Sequence, residues 1–134
     1  MNYDSKVTIL LAEDSEGHKI LIEKNLRRAH YENPFVHVDN GQAALDYLLN
    51  DHPPVILLLD LNLPVLNGLE VLKRIKANDK TKDIPVIVFT SSSDQEEIKK
   101  CYDSGCNSCL TKPVDYHGFA SVVRQIGCLL ATIN

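Results

Sequence analysis

The 134-residue chain lacks several features that would assign it to a function class directly. No apolar run approaches the roughly 20 residues of a membrane-spanning helix. Acidic residues near the amino terminus, without a small-residue cleavage site, do not match a secretory signal. The net charge is −4 and no dense basic run is present, which argues against direct binding of nucleic acid. We therefore expect a cytoplasmic protein without a membrane segment.

Cysteine is also scarce, with four in the chain. Cys106 and Cys109 form a C-x-x-C pair, but a structural zinc site needs four ligands and no second pair stands at a suitable spacing. If this segment is a strand, the two side chains should face opposite sides of it. Cys101 and Cys128 are expected to pack within helices. No linker, repeat or low-complexity segment is present, so residues 1–134 are predicted to form a single domain with no second domain.

The sequence does contain a regular alternation of short apolar runs and longer amphipathic stretches. The apolar runs are predicted strands at 7–12, 34–38, 55–59, 85–90 and 106–111. Apolar residues at helical spacing follow each run, from Ile22 and Leu26 in the first helix to Phe119 and Ile126 in the last. Five successive strand–helix units predict an α/β fold, a doubly wound five-stranded parallel sheet with helices on both faces.

Polar side chains stand at the ends of the predicted strands. Glu13 and Asp14 follow the first strand, and Asp60 follows the third. Thr90 ends the fourth strand, and Lys112 follows the fifth. Ligands bind at the carboxyl ends of the strands in a doubly wound sheet, so these five side chains should converge. Three neighbouring carboxylates repel one another, and a Mg²⁺ ion, which prefers oxygen ligands, would relieve that repulsion.

Asp60 is a candidate nucleophile, because a carboxylate can form an aspartyl-phosphate. The metal and the Lys112 ammonium would neutralise the phosphoryl oxygens. A single acid at the end of a strand is more simply explained as a turn cap. The four partner residues at matched positions make the nucleophile the better hypothesis.

These residues, in this order and spacing, resemble the receiver domain of two-component response regulators. DLNLPVLNGLEVLKRIK (60–76) is close to that family's phosphoacceptor signature, and PVIVFTSS (85–92) and LTKPVD (110–115) resemble two later motifs. The resemblance covers essentially the whole chain. It implies the (βα)5 flavodoxin-like receiver fold and a phosphoacceptor switch rather than an enzyme, with self-catalysed phosphorylation and dephosphorylation left open.

The resemblance also implies a role for each site residue. Asp60 resembles the phosphoacceptor, Thr90 the switch hydroxyl and Lys112 the phosphate-binding lysine. The implied ligands of Mg²⁺ or Mn²⁺ are Glu13, Asp14 as the more direct of the pair, Asp60 and the backbone carbonyl of Asn62. The bond between Lys112 and Pro113 is expected to be cis, since only X-Pro bonds adopt cis at low cost.

One position departs from the family pattern, and two stretches resemble a particular subgroup of the family. Cys109 stands where the family usually carries an aromatic residue, so output at the fourth helix and fifth strand is expected to rely on backbone shifts. FASVVRQIGCLLATIN (119–134) and DNGQAALDYLLN (39–50) resemble stand-alone regulators of phytochrome-type sensor kinases. The expected partners are a sensor histidine kinase of that type, a downstream protein and a second copy bound through the C-terminal helices.

Two alternatives remain open. A phosphatase of the haloacid dehalogenase type also places an Asp after an apolar strand, but it needs a second Asp where Asn62 stands here. A degenerate receiver, serving only as a binding surface, would lack one of the essential side chains.

Asn62 and Ser92 occupy positions that tune phosphoryl lifetime in the family. His18, the histidine closest to the acidic pair, is expected to be a surface residue.

Overall fold

A computed structural model describes residues 7–91, 94–112 and 116–133, with side-chain detail for these ranges apart from 116–118 and 131–133. Five strands alternate with five helices. The strands are β1 (Thr8–Ala12), β2 (Phe35–Val38), β3 (Val55–Asp60), β4 (Val86–Thr90) and β5 (Ser108–Thr111). The helices are α1 (Glu16–Arg28), α2 (Gly41–Leu49), α3 (Gly68–Ala77), α4 (Gln95–Asp103) and α5 (Tyr116–Ile133). The predicted order of elements is confirmed.

The strands form one parallel sheet in the order β2-β1-β3-β4-β5, with β3 at its centre. Ala12 pairs with Leu59, so the residue after β1 stands level with Asp60. Asp60 in turn pairs with Phe89, which precedes Thr90. This register brings the carboxyl ends of β1, β3 and β4 to one edge of the sheet, as the sequence predicted.

The two faces of the sheet carry separate apolar clusters. One cluster joins the sheet to α2, α3 and α4, through residues such as Leu48 and Leu72. The other joins it to α1 and α5, through residues such as Leu26 and Phe119. Every residue of β1, β3 and β4 is buried, whereas β2 is only half-buried. The doubly wound (βα)5 architecture is therefore confirmed, and continuous apolar runs are what a sheet covered on both faces requires.

Polar caps fix where four of the helices begin. The side chains of Ser15, Asn40, Asn67 and Asp94 each accept a hydrogen bond from a backbone N–H in the first turn of the helix that follows. Such caps satisfy donors that the helix leaves unpaired and contribute about 1 kcal/mol each. Gly105 follows α4 with φ of 101°, a conformation that favours glycine. The caps also fix the loops that carry the polar residues at the sheet edge.

The start of α3 is pressed against the end of β3. A Cβ atom on Gly68 would lie 2.2 Å from the carbonyl oxygen of Asp60 and 2.7 Å from the Cα of Leu61. The Gly68 N–H donates to the Leu61 carbonyl at 2.9 Å. Only glycine fits this contact, so helix α3 holds the backbone on which the Asp60 carboxylate stands.

Among the described residues, no helix is long and apolar enough to cross a bilayer. Two expectations lie outside the described residues: the cis bond before Pro113 and the position of Ser92. The side chains of 131–133, at the end of the apolar C-terminal helix, lie outside them as well.

Candidate functional site

Asp60 ends the central strand and is almost fully buried, with 3% of its surface exposed. Its two carboxylate oxygens have different partners. The backbone N–H of Asn62 donates to Oδ1 at 3.2 Å, and the Lys112 ammonium donates to Oδ2 at 3.3 Å. The acid therefore sits in a fixed orientation at the edge of the sheet, with a cation beside it.

Glu13 lies next to Asp60 and is even more buried, with 1% of its surface exposed. Its Oε1 accepts from the Lys112 ammonium at 2.9 Å and lies 2.7 Å from Nδ1 of His18. Its Oε2 is buried without any hydrogen-bond partner. Buried polar atoms are almost always paired, so this oxygen is available to a further partner, and a cation is one that suits it.

The three acids of the predicted metal site come together. One carboxylate oxygen from each of Glu13, Asp14 and Asp60 lies within 4.8 Å of the others. Glu13 and Asp60 are buried, whereas Asp14 is exposed. The Lys112 ammonium contacts two of these three carboxylates, those of Glu13 and Asp60. Three oxygen donors suit a divalent cation such as Mg²⁺, which also keeps several waters as ligands. The residues present therefore fit a hard divalent metal ion.

Burial and mutual repulsion alter the acidity of the two buried acids. Burial raises the pKa of Glu13 to about 8, with the neighbouring Asp60 acting in the same direction and Lys112 opposing it. Burial also acts to raise the pKa of Asp60, but the neighbouring Glu13, the Asn62 N–H and the Lys112 ammonium outweigh it and hold that pKa below its usual value. Without a metal, these opposite pKa shifts favour one proton on Glu13 over the same proton on Asp60.

Thr90 and Lys112 occupy the predicted positions on the neighbouring strands. Thr90 is fully buried at the end of β4, and its carbonyl accepts from the Lys112 N–H at 2.8 Å. The Lys112 side chain crosses to both buried acids, with 13% of it exposed. The Asn62 side chain donates to Ser91 Oγ at 3.4 Å, linking the loops after β3 and β4. The predicted residues at the ends of four strands, β1, β3, β4 and β5, therefore lie at the same edge of the sheet as the Asp60 carboxylate.

His18 is a site residue that the sequence analysis placed at the surface. Its side chain is 45% exposed, yet its Nδ1 lies 2.7 Å from Glu13 Oε1 and 3.2 Å from the Lys112 ammonium. The reason lies in the start of α1: Ser15 caps the helix and accepts from the His18 N–H. This turn brings His18 back over Glu13. The Ser15 cap, three residues before His18, was the available signal.

The loop after Asp60 contains a strained turn. Val65 has φ of 68° and is 81% exposed. The Leu66 N–H donates to the Pro64 carbonyl at 2.7 Å, closing a three-residue turn with Val65 at its tip. Left-handed backbone is costly for a β-branched residue. The sequence carries no glycine or asparagine here that would have predicted this conformation.

The expectation that Cys106 and Cys109 face opposite sides is wrong. Both pack on the same apolar cluster, beneath α4. The strand begins only at Ser108, so Cys106 lies in the preceding turn and the alternation of strand side chains does not apply. Cys101 is fully buried in α4 as expected, whereas Cys128 is exposed on α5 rather than packed.

Comparisons with known proteins agree with this geometry. The family model of the response regulator receiver domain matches residues 9–124. Response regulator Rcp1 of Synechocystis sp. is 36% identical over 124 residues, which cover 88% of this chain and 84% of Rcp1.

Solved structures of response regulators are also similar to this chain. A response regulator receiver domain from Rhodospirillum rubrum has a TM-score of 0.82 and 41% identity, covering 95% of each chain. The phosphorylated cyanobacterial phytochrome response regulator RcpA has a TM-score of 0.81 and 32% identity, also covering 95% of each chain. The Mn²⁺-bound form of Rcp1 has a TM-score of 0.78 and 34% identity, covering 89% of this chain and 90% of that one. On this evidence, the chain belongs to the response regulator receiver domain family.

Proposed function

We propose that this chain is a phosphorylation-activated response regulator, which accepts a phosphoryl group on Asp60 from a histidine kinase and signals by binding other proteins. One observation carries the proposal. Asp60 is a buried carboxyl group at the tip of the central strand, with the Lys112 ammonium 3.3 Å from one oxygen and two further acids beside it. A nucleophile, a fixed cation and a set of metal ligands are the parts that phosphoryl transfer needs.

In the proposed reaction an oxygen of Asp60 attacks the phosphorus of a phosphohistidine in line. The new O–P bond forms as the P–N bond breaks, and the electron pair leaves with the imidazole of the kinase. The Lys112 ammonium neutralises charge on the phosphoryl oxygens. The Asn62 N–H, which donates to Oδ1, holds the plane of the carboxylate during the attack.

A divalent ion, Mg²⁺ or Mn²⁺, is the proposed cofactor. Glu13, Asp14 and Asp60 would hold it, together with the backbone carbonyl of Asn62. When bound, such an ion neutralises oxygens of the transferring phosphoryl group. The unpaired Oε2 of Glu13 supports this assignment, and the Mn²⁺-bound form of the related Rcp1 is a precedent.

The proposed switch begins at Thr90. After transfer, an acyl phosphate adds roughly −1.5 to −2 charge, as other phosphorylations do, and new acceptor oxygens. The Thr90 hydroxyl then donates to one of these oxygens and draws in the loop that leads to α4. A nearly complete change of state needs about 5.5 kcal/mol of differential interaction. With Cys109 in place of an aromatic residue, backbone shifts of α4 and β5 would carry the signal.

The partners form the finer part of the proposal. A phytochrome-type sensor kinase is favoured because the similar RcpA is a phytochrome response regulator. A stand-alone regulator is supported by the match over 84% of Rcp1, and a cytoplasmic location, consistent with a receiver domain, is proposed with it. We also propose a homodimer through the C-terminal helices, because the tail CLLATI (128–133) is apolar. Light scattering on the phosphorylated protein tests the dimer, and a strictly monomeric protein would exclude it.

Intact mass after exposure to acetyl phosphate and Mg²⁺ tests the acceptor. The wild-type protein should gain one phosphoryl group, which maps to Asp60 and is then lost by self-catalysed hydrolysis. Asp60→Asn should gain none, and Lys112→Ala should lose most of its switching. Lys99→Ala is the matched control, because Lys99 is 77% exposed and, among the residues that the structure describes, its ion pair is with Asp103 on its own helix. Phosphate-dependent partner binding that survived Asp60→Asn would overturn the assigned role.

The same assay separates the alternatives. A phosphatase of the haloacid dehalogenase type would turn over a phosphomonoester steadily, and a degenerate receiver would take up no phosphoryl group from any donor. Asn62 stands at the position where the phosphatase needs its acid, and its side chain reaches Ser91 instead. We therefore expect no steady turnover.

A further inference from the structure

The backbone and side chain of Glu13 are held by partners from β2, from α1 and from the end of β5. The Glu13 N–H donates to the Val38 carbonyl at 3.0 Å. The Glu13 carbonyl lies 2.7 Å from Nε2 of His37, in β2. Oε1 lies 2.9 Å from the Lys112 ammonium and 2.7 Å from Nδ1 of His18, in α1. Oε2 is left as the polar atom of this residue without a partner.

The acceptors on Glu13 determine which nitrogen of each histidine carries a proton. A backbone carbonyl can only accept a hydrogen bond, so Nε2 of His37 is the donor to it. An ionised carboxylate also only accepts, so Nδ1 of His18 is the donor to Oε1 whenever Glu13 is ionised. The Lys112 ammonium donates to the same oxygen and lies 3.2 Å from that Nδ1. Two imidazole N–H groups are therefore directed at one acid of the candidate metal site.

We propose that His18 and His37 are positioning residues of this site, which fix Glu13 through Oε1 and through its backbone carbonyl so that Oε2 is presented to a divalent cation. The inference rests on the proposed function, because the cation is the one proposed there. Partners that hydrogen-bond a metal ligand orient it, and their loss typically weakens metal binding about 10- to 100-fold. Fixing the other polar atoms of Glu13 leaves Oε2 as its oxygen for the ion.

His18 has a task that Lys112 cannot perform throughout the proposed reaction. The Lys112 ammonium contacts both Glu13 and Asp60, at 2.9 Å and 3.3 Å, and it is the group that would turn to the phosphoryl oxygens. His18 belongs to the first turn of α1, which the Ser15 side chain caps. The imidazole would therefore continue to hold Oε1 while the ammonium bonds the phosphoryl group.

The test measures Mn²⁺ binding directly, from the electron paramagnetic resonance signal of the unbound ion. His18→Leu and His37→Leu remove one donor each, and each should weaken Mn²⁺ binding about 10-fold or more. Mn²⁺ affinity equal to that of wild type in both variants would overturn the proposal.

Asparagine and glutamine distinguish a positioning role from a merely structural one. Counted in bonds from Cβ, the amide nitrogen of asparagine stands where Nδ1 of histidine does, and that of glutamine stands where Nε2 does. His18→Asn and His37→Gln should therefore restore most of the Mn²⁺ affinity, whereas His18→Gln and His37→Asn should restore less. Failure of both matched amides to restore binding would refute the assigned hydrogen bonds.

His30→Asn is the matched control for removal of a histidine. His30 is exposed in the turn at the other end of α1 from His18, and its φ of 67° is one that asparagine tolerates. This variant should bind Mn²⁺ like wild type. Urea unfolding checks that each protein is folded. If His37→Leu folds poorly, the His18 variants decide the outcome, because that side chain is 45% exposed.

A double-mutant comparison tests whether His18 and Lys112 share the hold on Oε1. His18→Leu should weaken Mn²⁺ binding by a larger factor in Lys112→Ala protein than in wild type, because no side chain known to contact Oε1 then remains. An equal factor in both backgrounds would refute the shared hold.

Phosphorylation separates this inference from the proposed function. Wild-type protein that binds Mn²⁺ in a histidine-dependent way, but gains no mass from acetyl phosphate, would refute the proposed function and leave the positioning role standing. Wild-type protein that is phosphorylated, but whose Mn²⁺ affinity is indifferent to both histidines, would do the reverse. Wild-type protein that binds no Mn²⁺ would refute the metal site and this inference together.

Discussion

At the scale of single residues, two energetically unfavourable features lie near Asp60 at the edge of the sheet. Glu13 keeps an unpaired buried oxygen, and Val65 keeps a left-handed backbone with its side chain in water. Neither arrangement stabilises the isolated fold. Unfavourable features of this kind persist where the rest of the fold holds them in place, and they are concentrated at functional sites.

Val65→Asn should stabilise the protein by about 1 kcal/mol, because asparagine tolerates left-handed backbone and valine does not. Urea unfolding measures this change. Leu49→Asn, at a 40% exposed position in α2, is the control and should be neutral or destabilising. A Val65→Asn protein no more stable than wild type would show that the turn is not strained.

Thiol reactivity should differ sharply among the cysteines. Burial raises the pKa of Cys101 to about 12 and that of Cys106 to about 11, so both carry little thiolate near pH 8. Iodoacetamide should modify the exposed Cys128 first in the native protein and all four cysteines in urea. Peptide mapping over time checks the order, and early labelling of Cys101 would contradict it.

The site residues could be predicted from the sequence because each stands directly after an apolar run, and parallel strands deliver their ends to one edge. Their partners could not be predicted in the same way. His18 reaches Glu13 only because the Ser15 cap sets the first turn of α1. The shared cluster of Cys106 and Cys109 depends on where β5 begins, and strand boundaries are poorly determined by local pattern.

At the scale of elements, α3 acts as a support for β3. The contact through Gly68 leaves no space between the helix and the Asp60 carbonyl. The pattern of Leu69, Leu72 and Ile75 predicted the helix but not how closely it approaches the strand. The distance between α3 and β3 depends on how the two elements pack in the folded protein. A single glycine in the sequence is weak evidence for such a close contact.

Gly68→Ala should destabilise the protein by about 2 kcal/mol or more, because the new Cβ would meet backbone atoms that cannot move aside. Phosphorylation of Asp60 should also fall, because the end of β3 would shift. Gly17→Ala is the control: its Cβ would meet nothing closer than Ser15 Oγ at 3.8 Å, and alanine favours a helix. Urea midpoints for both variants check the pair, and equal losses would contradict the close-contact argument.

At the scale of the whole molecule, stability and metal binding are linked through one proton. The folded, metal-free protein holds that proton on Glu13, whose pKa is raised to about 8 from 4.5. A raised folded-state pKa contributes stability that is complete below the unfolded value and is lost as pH rises through the folded value. The metal-free protein should therefore weaken between mildly acidic and alkaline pH.

We expect the free energy of unfolding in EDTA to fall between about pH 4.5 and about pH 8, with a slope of at most about 1.4 kcal/mol per pH unit. Saturating Mg²⁺ should offset this loss increasingly at higher pH, since the ion binds the deprotonated acids. Denaturant titrations at several pH values measure both effects. Glu13→Gln removes the titrating group. If the free energy of unfolding of that variant changed with pH as steeply as that of wild type, a group other than Glu13 would be responsible.

The burial of β3 on both faces has a consequence for how such a protein diverges. The acid at its tip is anchored to a fully buried central strand, so we expect an incoming donor to adjust to the acid rather than the reverse. Sequence changes on the exposed helices can then alter which phosphoryl donor binds without disturbing the proposed phosphoryl transfer. Selectivity and reactivity are in this way free to evolve separately within one small domain.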